Sequence, residues 1–126
     1  MFDTIEKKQV FINWLFEIIE ADGQVTDDEI RSIKSVGYEF GMNDVIKTQE
    51  LNANYTDNEK IFILRELYRV AISDLDFPDC EKKVILMFCD RFHINNSISR
   101  LVEYWALTYL NNEKTFYEKL EEVNNG

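Results

Sequence analysis

Residues that break regular structure are scarce in this chain, which has four glycines and one proline among its 126 residues. An all-β sandwich or barrel needs turn residues about every 8–12 positions, so that class is excluded. Folds that depend on a glycine-rich phosphate loop are excluded as well, because neither loop motif occurs. The single histidine, His93, excludes catalysis or metal binding by a histidine pair.

Cysteine is equally scarce. Cys80 and Cys89 are nine residues apart, which on one helix puts them on opposite faces and about 13 Å apart along the axis. They cannot pair with each other, so we expect a reduced, cytosolic compartment. The N-terminus shows no apolar signal-peptide core, and the strongly apolar run at residues 10–16 is too short to span a bilayer. These features predict a cytoplasmic protein without direct membrane insertion.

Basic residues are outnumbered: 14 lysines and arginines stand against 24 acidic residues, which gives a net charge of −10. Nucleic acids and anionic lipid surfaces would repel such a chain. The expected partners are cations or a protein with a basic surface. Hydrophobic residues make up 45% of the chain, which suffices for the core of a single domain spanning residues 1–126.

Apolar residues at three-to-four-residue spacing predict an all-α bundle of about seven helices. Two capping boxes, Thr26 with Glu29 and Thr56 with Glu59, mark the starts of the second and fourth helices. The helix after Thr56 is apolar nearly all round, so we expect it near the centre. The first helix carries Phe11, and the remaining four are predicted at about residues 44–51, 78–92, 97–110 and 113–123.

The sequence matches itself when it is shifted by 52 positions. The match needs no gap over about 33 positions, and it pairs apolar with apolar residues (Phe11 with Ile63) and acidic with acidic ones (Asp22 with Asp74). We call two residues related by this shift corresponding residues. The match predicts two pseudo-symmetric helix–acidic turn–helix repeats, at about residues 8–43 and 60–95. C-terminal helices at about residues 97–123 complete the domain.

The net charge is confined to the two predicted turns. Residues 17–29 hold six acidic and no basic residues, residues 74–81 hold four acidic and no basic ones, and the rest of the chain is neutral. Clustered carboxylates are the ligands that a hard cation such as Ca²⁺ or Mg²⁺ requires. A cation site is therefore one interpretation of the turns.

Two other interpretations remain open: local stabilisation of helix starts, and a docking surface for a basic partner. An acid in the first turn of a helix contributes about 0.3–1 kcal/mol against the positive end of the dipole. An EF-hand is excluded, because placing Glu29 at the last loop position puts Ile18 at the first ligand position, and the second copy has Val70 there. Five of the acids fall in predicted first turns: Asp27, Asp28, Glu29, Asp79 and Glu81.

The motif Ala21-Asp22-Gly23-x-Val25-x-x-x-Glu29, with a degenerate second copy at residues 73–81, resembles the TerB-like domain of bacterial tellurite-resistance proteins. The same domain type begins a membrane-anchored DnaJ-class co-chaperone. The resemblance covers about residues 8–95 and implies an all-α bundle of about seven helices with pseudo-two-fold symmetry. It also implies a bacterial, cytosolic protein linked to tellurite or general stress response, with no enzymatic reaction.

The resemblance further implies weak binding of Ca²⁺ or Mg²⁺, with no other cofactor required. Leu75 in place of glycine and Pro78 in place of a threonine-type cap depart from the motif in the second copy. The candidate metal ligands are Asp22, Glu29, Asp74 and Glu81, with Asp27, Asp28, Asp76 and Asp79 as additional ones.

We therefore expect a non-catalytic module that acts through its acidic turns, by protein interaction or in response to divalent cations. Two alternatives stay open. A carboxylate-dependent, metal-assisted hydrolase would need two acids facing each other across a pocket, one of them with a raised pKa. Alternatively, the turns are purely structural and an aromatic C-terminal surface binds a partner: Tyr104, Trp105, Tyr109, Phe116 and Tyr117.

Overall fold

The computed structural model describes residues 2–49, 52–72 and 77–125. Over these ranges the chain is an all-α bundle of five helices without a strand. None of the described helices is both long and apolar enough to cross a membrane. The helices are α1 (Ile5–Glu20), α2 (Asp27–Glu39), α3 (Asp57–Ala71), α4 (Asp79–Arg91) and α5 (Asn96–Asn125).

The central position predicted for the helix after Thr56 is confirmed. This helix, α3, packs against α1, α4 and α5, and α1 packs in addition against α2 and α4. Ile63, Leu64 and Leu67 in the middle of α3 expose no surface. Burying one such side chain contributes about 1.5–3 kcal/mol, so α3 is the element on which α1, α4 and α5 assemble.

Both predicted capping boxes are confirmed. Thr26 Oγ1 accepts the Glu29 N–H at 3.2 Å, and the Glu29 carboxylate accepts the Thr26 N–H at 2.9 Å. Thr56 and Glu59 form the same pair of bonds at 3.2 and 2.8 Å. Pro78 was expected in the first turn of its helix, but it is the N-cap of α4, where its side chain makes no capping bond.

The predicted short helix at about residues 44–51 is wrong for residues 44–49, and residues 50 and 51 lie outside the described part. The loop at 44–49 lies against α1, whose side chains supply the bonds that a helix would have made internally. Asn13 Oδ1 accepts the Thr48 N–H at 3.0 Å, and Gln9 Nε2 donates to the Ile46 carbonyl at 2.8 Å. Tertiary contacts thus override a weak helical pattern.

The two C-terminal helices predicted at about residues 97–110 and 113–123 are one continuous helix, α5. No glycine or proline lies between them to end the first, and two asparagines lower helix propensity by only about 0.7 kcal/mol each. The first half of α5 buries Val102, Ala106 and Leu110. The predicted number of about seven helices is therefore too high for the described residues.

The helix boundaries recur at the shift that relates the two halves of the sequence. α2 and α4 begin and end at corresponding residues. α1 and α3 also begin at corresponding residues, and α3 is one residue shorter at its end. Each half therefore has two helices of matching or nearly matching lengths.

The ends of α2 and α4 also match in their hydrogen bonds. The Met42 N–H donates to the Gly37 carbonyl at 3.0 Å, and the corresponding Ile94 N–H donates to the Cys89 carbonyl at 2.9 Å. The residue before each donor has a positive φ: Gly41 at 78° in the first half, and its counterpart His93 at 53° in the second. A residue in the left-handed backbone conformation, followed by a main-chain hydrogen bond that spans five residues, forms the Schellman motif. His93 therefore ends α4 as Gly41 ends α2.

Gly37 allows Val45 to pack against the end of α2. A β-carbon at residue 37 would overlap both γ-carbons of Val45, whose side chain is 3% exposed. We expect Gly37→Ala to lower the free energy of unfolding by about 1–3 kcal/mol, the usual cost of overpacking a core. Urea denaturation would measure this loss.

The control for this prediction is Val45→Ala, alone and combined with Gly37→Ala. Removing the γ-carbons makes room for the new methyl group, so the double variant should lose less stability than the sum of the two single variants. Strictly additive losses would contradict the overlap.

Candidate functional site

The first acidic turn joins α1 to α2, and several of its carboxylates make local bonds. Asp22 Oδ1 accepts the Gln24 N–H at 2.9 Å and so closes the turn around Gly23, which has a φ of 77°. Asp28 pairs with Arg31 at 3.0 Å. Asp27, Asp28 and the capping-box glutamate all lie in the first turn of α2. These positions fit local stabilisation of the turn and of the helix start.

The second acidic turn is described only in part. Asp79 and Glu81 lie in the first turn of α4, and Asp74 and Asp76 lie outside the described residues. Within the ranges that the structure describes, no three histidine, cysteine, aspartate or glutamate side chains are grouped so that they could hold a metal ion. The ligand set predicted for a cation therefore stays a prediction.

Among the described residues, Glu59 is the charged side chain that is buried, with 7% of its surface exposed. Its carboxylate accepts the Thr56 N–H, and Lys7 Nζ donates to its two oxygens at 3.0 and 3.3 Å. Lys7 also pairs with Asp3 at 3.1 Å. Burial alone would raise the pKa of Glu59, but the bonds from Thr56 and Lys7 outweigh it and the pKa is lowered.

The lowered pKa makes Glu59 itself unsuited to be the general acid that the hydrolase alternative requires. A general acid must hold its proton near neutral pH, which needs a raised pKa. Glu59 is ionised and engaged with Lys7, so it acts as a structural carboxylate. Burial raises the pKa of the Cys89 thiol, which suppresses its reactivity as a nucleophile.

A cavity of about 250 Å³ lies between α1, α4 and the loop at residues 44–49. Trp14, Met87 and Phe92 are among its apolar lining residues. Lys47, at its edge, pairs with Glu17 at 2.6 Å and with Glu20 at 2.7 Å. These ion pairs fasten the loop to α1 and use the cationic group for a structural contact.

A second cavity, of about 270 Å³, lies between α2 and α3 beside the first acidic turn. We call it the α2–α3 groove. Its lining comprises Leu15 and Ile19 from α1, Ile33 and Val36 from α2, Val70 from α3, and the polar residues Asp28, Glu29, Ser32 and Arg69. An apolar interior therefore adjoins the carboxylates of the turn.

The second half of α5 extends beyond the residues that the bundle buries. We call residues 111–125 the α5 arm, in which every described side chain is exposed except the half-buried Glu113. The Phe116 and Tyr117 rings meet edge to face, with centroids 5.5 Å apart. The exposed apolar residues of the arm are Phe116, Tyr117, Leu120 and Val123.

The residues of the predicted aromatic surface differ in how far the bundle buries them. Trp105 is half-buried on α5, and the guanidinium of Arg65 from α3 lies 4.8 Å from its ring centroid. Tyr104 and Tyr109 are exposed. The aromatic residues of the C-terminal region thus include one that holds α5 to the bundle and several that remain accessible.

Comparisons of the chain with protein-family models, with curated proteins and with solved structures find no match. The TerB-like resemblance therefore rests on the motif alone. The predicted acidic turns were visible as charge clusters, whereas the α2–α3 groove and the Lys7–Glu59 pair had no separate signal until the packing of the helices was known.

Asp22→Asn tests the cation hypothesis, because asparagine keeps an acceptor for the Gln24 N–H and removes the charge. From its turn bond we expect Asp22→Asn to melt at the wild-type temperature without divalent cations, and Asp22→Ala to melt a few degrees lower. Scanning calorimetry at millimolar Ca²⁺ or Mg²⁺ then separates the two roles. A cation-induced rise that occurs in the wild type and disappears in Asp22→Asn would identify a ligand; no rise in either would count against the site.

Glu59→Gln should change the dependence of stability on pH. Because the pKa of Glu59 is lower in the folded than in the unfolded chain, its charge stabilises the fold above its ordinary pKa of 4.5. That contribution is lost as the pH falls towards the folded pKa. We expect the gap in unfolding free energy between wild type and Glu59→Gln to be largest near neutral pH and to narrow below pH 4.5.

The matched control is Glu118→Gln on the exposed α5 arm. We expect its free energy of unfolding to differ little from that of the wild type, both near neutral pH and below pH 4.5. Urea denaturation across the acidic range measures all three proteins. A gap for Glu59→Gln that stays constant with pH would show that the carboxylate charge does not contribute to folding.

Proposed function

We propose that the chain is a non-catalytic protein-interaction module that binds a partner through the α5 arm. The observation that carries this proposal is the cluster of large apolar side chains on one exposed face of the arm. Contiguous exposed apolar surface marks interaction sites, and aromatic residues dominate the binding energy of many interfaces. An α5 arm without a partner leaves this surface in water.

The apolar face of the arm continues the face with which α5 joins the bundle. Val102 and Ala106 are buried at the start of the series, and Phe116, Leu120 and Val123 follow at helical spacing. A partner that packs against the arm would therefore extend an existing helical interface along the same face. Four acidic and two basic residues are interspersed on the rest of the arm, which favours a helix that stays in contact with water.

We further propose a TerB-like bacterial module of the cytoplasm that serves tellurite resistance or general stress response. Support comes from the Asp22–Glu29 motif together with helix boundaries that recur at corresponding residues of the two halves. The matching ends of α2 and α4 favour two pseudo-symmetric helix–acidic turn–helix units. The described residues contain no membrane-spanning helix, which is compatible with this proposal.

A response to weakly bound Ca²⁺ or Mg²⁺ is a second proposal, supported by the confinement of the net charge to the two turns. Its candidate ligands are the carboxylates of both turns, including Asp74 and Asp76, which lie outside the described residues. The hydrolase alternative stays a prediction, because the turn acids on which it depends include Asp74 and Asp76, which lie outside the described residues.

The interaction proposal predicts that Phe116→Glu with Leu120→Glu abolishes partner capture and leaves the fold intact. Both side chains are exposed, so glutamate, a good helix former, should preserve the helical circular dichroism and the melting temperature. Hot-spot residues contribute about 2 kcal/mol or more, so recovery should fall at least about tenfold. Quantitative mass spectrometry of proteins that co-purify from the native cells measures it.

The matched control is Asn111→Glu with Asn125→Glu, which adds the same charge on the opposite face of the arm. We expect this control to retain the partner. Equal recovery from both double variants, or no protein enriched by the wild-type chain, would contradict binding through the arm.

A further inference from the structure

The two halves of the bundle differ in how closely corresponding helices pack. By their boundaries, α1 corresponds to α3 and α2 to α4, so the pair α1–α4 corresponds to the pair α3–α2. α1 packs closely against α4, whereas α2 and α3 are not among the closely packed pairs. The α2–α3 groove is the space that this difference leaves.

A change in residue size accounts for the difference. Between α1 and α4, the Trp14 ring lies edge-on against the Phe88 ring, with centroids 5.4 Å apart. The residues that correspond to these two are Glu66 and Val36. The side of α2 and α3 therefore lacks the aromatic contact that joins α1 to α4.

One end of the groove is acidic. Asp28 lines it, and Asp27 is its exposed neighbour in the first turn of α2. Asp28 also pairs with Arg31 at 3.0 Å. Arg69 on the opposite edge pairs with Glu66 at 3.1 Å, so its charge is locally balanced.

We propose that the α2–α3 groove binds an amphipathic basic helix of a partner protein, which inserts an aromatic side chain between α2 and α3 and places lysine or arginine beside Asp27 and Asp28. A cavity of about 270 Å³ is below the range of about 300–1,000 Å³ of small-molecule sites. It suits one or two bulky side chains, as in helix-in-groove recognition. Residues 17–29 hold six acids and no base. Arg31 pairs with Asp28, and Lys47 pairs with Glu17 and Glu20. The acids still outnumber the bases that pair with them, so they favour a basic helix.

This inference rests on the proposed interaction function and names a second binding face with the chemistry of its ligand. The probe is a synthetic amphipathic helix about 18 residues long, or five turns, built from leucine and lysine with one central tryptophan. A fluorescent label reports its binding by anisotropy. Matched peptides replace lysine by glutamate, or tryptophan by alanine, and we expect each to bind at least tenfold more weakly.

Two variants of the protein test the groove, one by filling it and the other by removing its charges. Val36→Phe installs the ring that the other half has at Phe88, and should fill the groove and abolish binding. Asp27→Asn with Asp28→Asn removes two exposed charges, so it should leave the fold intact and weaken binding roughly three- to tenfold. The control for the latter is Asp57→Asn with Asp79→Asn, which removes two exposed first-turn charges elsewhere and should bind like wild type.

NMR shift perturbation locates the bound peptide. Shifts at Leu15, Ile19 and Ile33, lost in Val36→Phe, support the proposal. Equal affinity for the lysine and glutamate peptides, equal weakening by both pairs of asparagine substitutions, or no binding overturns it. Shifts confined to Phe116 and Leu120 also overturn it and leave the function proposed for the α5 arm standing, so the two failures are distinguishable.

Discussion

The packing of α1 against α3 is the constraint on which the rest of the structure depends. An isolated hairpin of two short amphipathic helices is marginal in water, because nothing covers its apolar face. Here each hairpin covers the other: Phe11 and Ile12 of α1 and Ile63 and Leu64 of α3 are almost completely buried. The loop at residues 44–49 attaches to α1, and α5 attaches to α3, so both are added to this central pair.

The segments that follow the two hairpins take different forms on corresponding surfaces. In the first half, Asn13 of α1 holds Thr48 in the loop at residues 44–49 by side-chain hydrogen bonds. In the second half, the corresponding residue of α3 is Arg65, which lies over the Trp105 ring of α5. The amide bonds to a main-chain group that a helix would use internally, whereas the guanidinium contacts a side-chain ring and leaves the main chain of α5 to its helical bonds. One residue pair thus contributes to the asymmetry between the halves.

Local signals made much of the fold predictable. The two capping boxes need only four consecutive residues each. Both form as predicted, because the threonine and glutamate side chains at that spacing each accept the other residue's main-chain N–H. The loop at residues 44–49 was missed because its bonds come from α1, more than thirty residues away. The continuous α5 was missed because asparagine pairs weaken a helix without ending it. The candidate sites show the same division: the replacement of Trp14 by Glu66 at the corresponding position was visible in the sequence, but its consequence, the α2–α3 groove, required knowledge of which helices pack together.

The distribution of charge connects the fold to the proposed interactions. Each first-turn carboxylate is favourable locally, because it meets the positive end of a helix. The six acids of residues 17–29 nevertheless outnumber the two bases that pair with them, Arg31 and Lys47, so a net repulsion among them remains. The fold therefore keeps a net negative charge at the acidic end of the α2–α3 groove. A basic helix that binds there would relieve this repulsion while burying apolar surface, so the arrangement that begins α2 also favours such a partner over an acidic one.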